Sequence, residues 1–197
     1  MNWYEKLNKY FPIEEMKSRE HMERLLKEQG EVYKKDESDE HVLMYAEFNS
    51  FIFIDYVWVS AKTRGKGIGH KLIQKLKDKG KPIILEVEPV DYEDTDTEKR
   101  LRFYQKEGFE HAKSIGYARR SLATNELNEM EILFWSPEHE SEASIYEKMR
   151  EMYQKIHTYK DKELYGKSYQ HVDEVLTLDE DRDMDNILNA LKKPENA

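Results

Sequence analysis

Apolar, aromatic and β-branched residues crowd two adjacent stretches, His41–Phe48 and Phe51–Ser60, on either side of Asn49-Ser50. Such composition over strand-length runs predicts two strands joined by a short turn. Pro82–Val90 is a further strand with proline near both ends, and Ile115–Ser121 and Met130–Trp135 predict a closing pair around Asn125–Asn128. Between these runs the period changes. Ile68, Leu72, Ile73 and Leu76 share one helical face, and Gly80 ends that helix. Thr95 and Glu98 have the spacing of a capping box, so a second helix is expected through Phe103 and Tyr104 to Gly108, after an acidic loop at Asp91–Asp96. Nearer the start, Met16, Met22, Leu25 and Leu26 recur at helical spacing before Gly30. Glu31–Lys35 then predicts a short strand, with Asp36–Asp39 as its turn.

After Ser136-Pro137 strand signals and most glycines disappear. Ile145, Met149, Met152 and Ile156 fall on one helix face, with Ser141 or Ser144 as its cap, and Met184, Ile187, Leu188 and Leu191 predict a short terminal helix. Two segments are therefore expected: an α/β unit over residues 1–136 and an acidic helical extension over 137–197. The four-residue apolar face would waste its area in water, so the extension is expected to pack on the core or on a second subunit, with Lys192–Ala197 fraying.

The chain has 197 residues, enough for a substantial core, and no cysteine, which excludes disulfides, thiolate metal ligands and a cysteine nucleophile. No apolar run approaches the roughly 18 residues of a membrane span. The opening Met1-Asn2-Trp3-Tyr4-Glu5-Lys6 lacks the basic start and apolar stretch of a signal peptide, so a cytoplasmic protein without membrane association is expected. The formal net charge of -9 disfavours nucleic acid as a partner and would attract a cationic amine. From Ser136 onward there are 15 acidic and 9 basic residues, so about two thirds of the excess charge lies in the extension. The histidines have no metal-ligand spacing. His139, His157 and His171 read as structural or exposed, and the tyrosines of the extension as packing. No metal is expected.

The most informative segment is Lys62-Thr63-Arg64-Gly65-Lys66-Gly67-Ile68-Gly69, which lies between a strand and an amphipathic helix. A helix N-terminus presents unpaired N–H groups and the positive end of a dipole, and glycines let an anion approach the backbone closely. Together they suit a phosphate or pyrophosphate. The glycines at 65, 67 and 69 fit neither a dinucleotide-binding fingerprint nor a Walker A loop.

Val57-Trp58-Val59-Ser60 followed by Arg64–Gly69 and Leu72-Ile73 resembles the acetyl-CoA pyrophosphate motif of the GNAT N-acetyltransferase superfamily, Gln/Arg-x-x-Gly-x-Gly/Ala, with Lys62, Gly65 and Gly67 at its first, fourth and sixth positions. Phe103-Tyr104-Gln105-Lys106-Glu107-Gly108-Phe109 is similar to the end of the next helix of that family. The resemblance covers about residues 40–135, and Thr97 and Arg100 depart from it. It implies a mixed, mostly antiparallel sheet flanked by helices. It also implies acetyl-CoA as cosubstrate, bound by Val57, Trp58, Val59, Arg64, Gly65, Lys66, Gly67, Ile68, Gly69 and His70, with His70 acting through its N–H. Acetyl would pass directly to an amine of a small molecule or peptide. A base must strip the ammonium and an acid can protonate the leaving thiolate. Tyr104 is the family-matched acid. Ile84-Leu85-Glu86-Val87-Glu88 resembles the strand of ribosomal-protein N-terminal acetyltransferases, which makes Glu86 the first candidate base. Glu88, on the same strand face, is the second and Asp55 the third. A non-catalytic CoA-binding member of the same fold is the alternative. Acceptor identity and the choice between monomer and homodimer stay open.

Overall fold

The computed structural model describes residues 1–91, 95–189 and 191. Its strands are β1 (Tyr33–Glu37), β2 (His41–Glu47), β3 (Ile52–Val59), β4 (Ile83–Val87), β5 (Glu110–His111), β6 (Ile115–Arg120), β7 (Leu127–Trp135) and β8 (Leu176–Leu178). They form one sheet in the order β1-β2-β3-β4-β7-β6-β8, with β5 beside β7. The β3–β4 pair is parallel and the other pairs are antiparallel. The mixed, mostly antiparallel sheet expected from the sequence is therefore present.

Helices cover both faces. On one face α1 (Trp3–Tyr10), α2 (Arg19–Glu28) and α5 (Glu142–Met152) pack on Phe53, Tyr56, Tyr117 and Ile132. On the other, α3 (Ile68–Lys77) and α4 (Thr95–Lys106) bury Leu72, Ile73, Leu76, Leu101 and Tyr104 against Ile52, Ile54, Leu85 and Leu133. The opening is two helices, not one. α1 starts at an Asn2–Glu5 capping box and stops at Phe11, which is extended as a residue before proline must be. A 3₁₀ turn at Ile13–Glu15 leads to Ser18, whose hydroxyl accepts the His21 N–H and starts α2.

The apolar face of the extension is buried as expected: Ile145, Met149, Met152 and Ile156 are at most 1% exposed. Ser141 is the cap of α5. Past Met152 the helix widens into a π turn, Tyr153–His157, followed by short helices α6 (Asp161–Tyr165) and α7 (Val172–Val175). Two expectations need correction. The extension contains a strand: β8 pairs with the free edge of β6, Leu176 opposite Tyr117. It is three residues long, and partner hydrogen bonds rather than its own propensity hold it. The terminal helix is replaced by irregular chain and a turn, although Ile187 and Leu188 are buried, with Met184 and Leu191 against the same cluster. The expected fraying at Lys192–Ala197 lies outside the described residues. No described helix is long and apolar enough to cross a membrane.

Candidate active site

The site begins where β3 and β4 part. Their parallel register runs only from Ile52–Ile83 to Ile54–Leu85. At the next residue β3 bulges: Ile54 pairs with Tyr45 and Tyr56 with Met44, which leaves Asp55 without a counterpart. A bulge bends its strand and re-aims side chains. Here it shifts the alternation by one, so Phe53 and Tyr56 face one core while Ile54 and Val57 face the other. Beyond the bulge β3 and β4 diverge, and a cavity of about 540 Å³ opens between them. That is the size of a small-molecule site.

One end of the cavity is the start of α3. Gly65 and Gly67 hold φ of +82° and +80°, a left-handed backbone that glycine adopts without penalty. Gly67 is the N-cap and provides no side-chain oxygen. Among the described residues, no main-chain bond is donated by the N–H groups of Gly65, Gly67, Ile68, Gly69 or His70. These donors are left for an anion. Gly69 answers a different need, since a Cβ there would stand 3.1 Å from the Phe103 ring of α4. The His70 ring turns to Glu107, with Nδ1 3.0 Å from its carboxylate. Arg64 stacks over Tyr10, 5.1 Å from the ring centre.

Midway, Tyr104 lines the cavity at 5% exposure, and burial pushes its phenol above the ordinary value. Its hydroxyl makes no hydrogen bond within the described residues, so it stands protonated and available to a ligand.

Charge concentrates at the far end. Glu86 accepts hydrogen bonds from the Tyr117 hydroxyl at 2.6 Å and from His157 Nε2 at 2.5 Å, and Arg119 Nη2 lies 3.6 Å away. Burial alone would raise its carboxyl. The His157 ring, Arg119 and Tyr117 outweigh burial and hold it well below the usual carboxylate range. His157 is itself pushed down by burial and by Lys17, against the pull of Glu86. Its Nδ1 and the Arg119 Nε are both buried without a hydrogen-bond partner. Asp55 is also fully engaged: Lys17 Nζ and the Tyr33 hydroxyl both donate to it at 2.6 Å. Glu88, just past β4, faces Arg100 at 3.4 Å. Glu15, from the 3₁₀ turn, also lines the cavity. Burial and its close neighbour Glu88 push its carboxyl up to about 8, against the pull of Arg100 and Arg119.

The structure thus brings Val57, Val59, Arg64, Gly65, Gly67, Ile68, Gly69, His70, Glu86, Glu88 and Tyr104 to one cavity. Trp58 and Lys66 are not among its lining residues. After the bulge Trp58 points to the opposite core, where Lys6 Nζ stands 5.5 Å over its ring. Lys66 is exposed. Sequence reasoning missed Glu15, Tyr117 and Arg119, and it read His157 as structural or exposed. His157 is structural, but its partner is Glu86. Among the described residues no group of three histidine, cysteine or carboxylate side chains is placed to hold a metal ion.

A sheet that splays at its parallel pair, with an uncapped helix start at one end of the opening and a buried acid–base cluster at the other, defines the N-acetyltransferase class. Comparison with known proteins agrees. Residues 26–111 match the acetyltransferase (GNAT) domain family. The chain is 64% identical over 191 residues to the candidate acetyltransferase YjbC of Bacillus subtilis (strain 168), covering 97% of this chain and all 100% of that protein. A solved structure of a candidate GNAT-family acetyltransferase from Bacteroides thetaiotaomicron shares the fold, with TM-score 0.63 at 22% identity over 84% of this chain and 90% of that one. The chain belongs to the GNAT family of acetyltransferases.

Proposed function

We propose that this protein transfers the acetyl group of acetyl-CoA directly to a primary amine, on a small molecule or a peptide, in the cytoplasm. The observation that carries this reading is the continuity of the cavity. It runs from the free N–H groups at Gly65 and at Gly67 to His70, past the Tyr104 hydroxyl, to the carboxylates at Glu86 and Glu88. The N–H groups suit the CoA pyrophosphate, and Val57 and Val59 on β3 flank its path. Tyr104, which lines the cavity, is the acid that gives a proton to the departing thiolate in this reading, and burial, which raises its phenol, keeps that proton on it until then.

The base is assigned to the Glu88 end of the cluster and not to Glu86. A carboxylate held far below its ordinary value by two donors and a neighbouring guanidinium has little affinity for a proton. Glu86 instead orients Arg119, Tyr117 and His157. The acidic balance of the chain favours a cationic acceptor over nucleic acid.

The test is release of free CoA thiol from acetyl-CoA in the presence of a panel of polyamines, aminoglycosides, amino acids and peptides. Turnover on at least one amine, with acetylated product confirmed by mass, supports the proposal. Acetyl-CoA binding without turnover on any of these classes would favour a non-catalytic CoA-binding role.

A further inference from the structure

β6 turns Ile115, Tyr117 and Arg119 to one face, and all three are buried. A packing residue at the third position would serve the fold. The chain instead places a guanidinium there, 6% exposed, in the wall of the cavity. Burial works against its charge, but Tyr117 and Glu86 outweigh burial and it stays protonated.

A buried guanidinium is costly unless acceptors satisfy its N–H groups. Around Arg119 they are missing. Its ion pair with Glu86, from Nη2 to Oε2, is 3.6 Å long, against about 2.7–2.9 Å for a charge-assisted hydrogen bond. Glu86 takes its short hydrogen bonds on Oε1, from Tyr117 and His157. It balances the charge of Arg119 and leaves the donors unused. Nε is sealed away without a partner, and among the described residues the terminal nitrogens make no hydrogen bond either. The neighbouring cations are occupied: Lys17 pairs with Asp55 at 2.6 Å and Arg100 with Glu88 at 3.4 Å. The same cavity is lined by the carboxyls of Glu15 and Glu88 and by apolar wall from Phe11, Tyr56 and Met130.

We propose that the acceptor is a free amino acid, and that Arg119 is the specificity residue that receives its carboxylate while the amine faces Glu88. This rests on the reading of the cavity as an acetyl-transfer site. A carboxylate supplies the acceptor oxygens that the guanidinium lacks, and two oxygens on the planar end of Nη1 and Nη2 fix the orientation of the molecule. A polyamine would bring a second ammonium against Arg119. An amino acid brings both signs and no net charge into a cavity whose wall carries both, and an apolar side chain suits Phe11 and Met130.

The test compares free amino acids with their amides and with the amines that lack the carboxyl group, in thiol release from acetyl-CoA by the full-length protein. Leucine, leucinamide and isoamylamine form the first set. An amino acid should be the best acceptor, with kcat/KM above that of its amide by about tenfold or more, the worth of a hydrogen bond between charged groups. In Arg119→Gln the acid-to-amide ratio should fall to within about twofold of one, mainly through a rise in KM for the acid. In Arg119→Lys, which keeps a charge beside Glu86 but loses the planar fork, the ratio should fall by about threefold or more. A role confined to pairing Glu86 would lower the rate on acid and amide alike and leave the ratio unchanged. If Arg119→Gln does not fold, Arg119→Lys carries the same comparison. The proposal is overturned if amide or bare amine matches the amino acid in the wild type, if the ratio survives the Arg119 change, or if a polyamine or peptide is acetylated and no amino acid is. In that last case the transferase reading stands. If no amine is acetylated, the transferase reading falls, and calorimetric titration of leucine and leucinamide into the protein without CoA decides the carboxylate site by itself. Leucine binding that weakens in Arg119→Lys supports the site. No leucine binding, or equal binding of leucinamide, overturns it.

Discussion

Deleting residues 137–197 should prevent the remaining chain from folding, even though the family resemblance ends at the same boundary. Eight apolar side chains of the deleted part, Ile145, Met149, Met152, Tyr153, Ile156, Val172, Val175 and Leu176, are at most 3% exposed. At about 1.5–3 kcal/mol each, their burial is worth on the order of 12–24 kcal/mol, an upper estimate because a denatured chain already covers part of its surface. A comparable area on the sheet side would lose its cover. Polar losses add to this. Glu86 loses its His157 donor, His21 loses the Ile156 carbonyl and the Tyr165 hydroxyl, and Glu131 loses Arg182 at 2.8 Å. Each orphaned buried group costs about 1–3 kcal/mol. Against a typical total stability of about 5–15 kcal/mol, even a fraction of these terms is decisive. Circular dichroism of the 1–136 fragment, melted beside the full chain, reads the outcome. The fragment should show no cooperative transition, and Met149→Ala in the full chain should cost about 2–5 kcal/mol. A fragment that melts cooperatively at the parent midpoint would refute the reasoning and make the extension a true appendage.

Two further outcomes follow from individual side chains. Tyr104→Phe removes one hydroxyl and leaves its ring contacts with Phe103 and Phe109 in place, so kcat should fall by roughly tenfold or more while acetyl-CoA affinity stays within about twofold. Wild-type kcat in that variant would leave Tyr104 a packing residue. His21 is fully buried between Tyr165 and the Ile156 carbonyl, and burial with Lys17 beside it pushes its ring down to about 3. The unfolded chain therefore binds this proton and the folded one does not. Stability from this group is intact above about pH 6.5 and falls by up to about 1.4 kcal/mol per unit as pH drops from there toward 3. Urea unfolding of wild type and His21→Gln at several pH values should show the shallower acid slope in the variant, and identical slopes would contradict the assignment.

What the sequence could reveal depended on whether the determinant was local. The β3–turn–α3 unit was legible because a β-branched run, alternating glycines and a helical apolar face lie within about thirty residues and each reports its own conformation. Tyr104 was legible for the same reason, through its place in a contiguous motif. The chemistry at the far end was not. Glu86 and Glu88 were visible as strand residues, but what Glu86 does is decided by His157, 71 residues away, and by Arg119 from another strand. Glu15 reaches the cavity only because the Tyr56 hydroxyl, on β3, holds the carbonyl of its turn there. The bulge at Asp55 is invisible in a run that reads as uninterrupted strand, and it is what turns Trp58 away from the cavity. β8 escaped notice because three residues carry too little pattern, and its stability comes from the edge of β6.

The measurement that bears most directly on the central assignment is calorimetric titration of acetyl-CoA into the wild-type protein and into Gly67→Glu. Gly67 holds a left-handed φ of +80° with open space at its Cβ position, so the substitution places a carboxylate and a strained backbone at the proposed pyrophosphate site without striking any neighbour. The account predicts one saturable site per chain in the wild type, competed by CoA, and at least tenfold weaker binding in a variant that still melts cooperatively. No binding to the wild type, or unchanged affinity in folded Gly67→Glu, would contradict it.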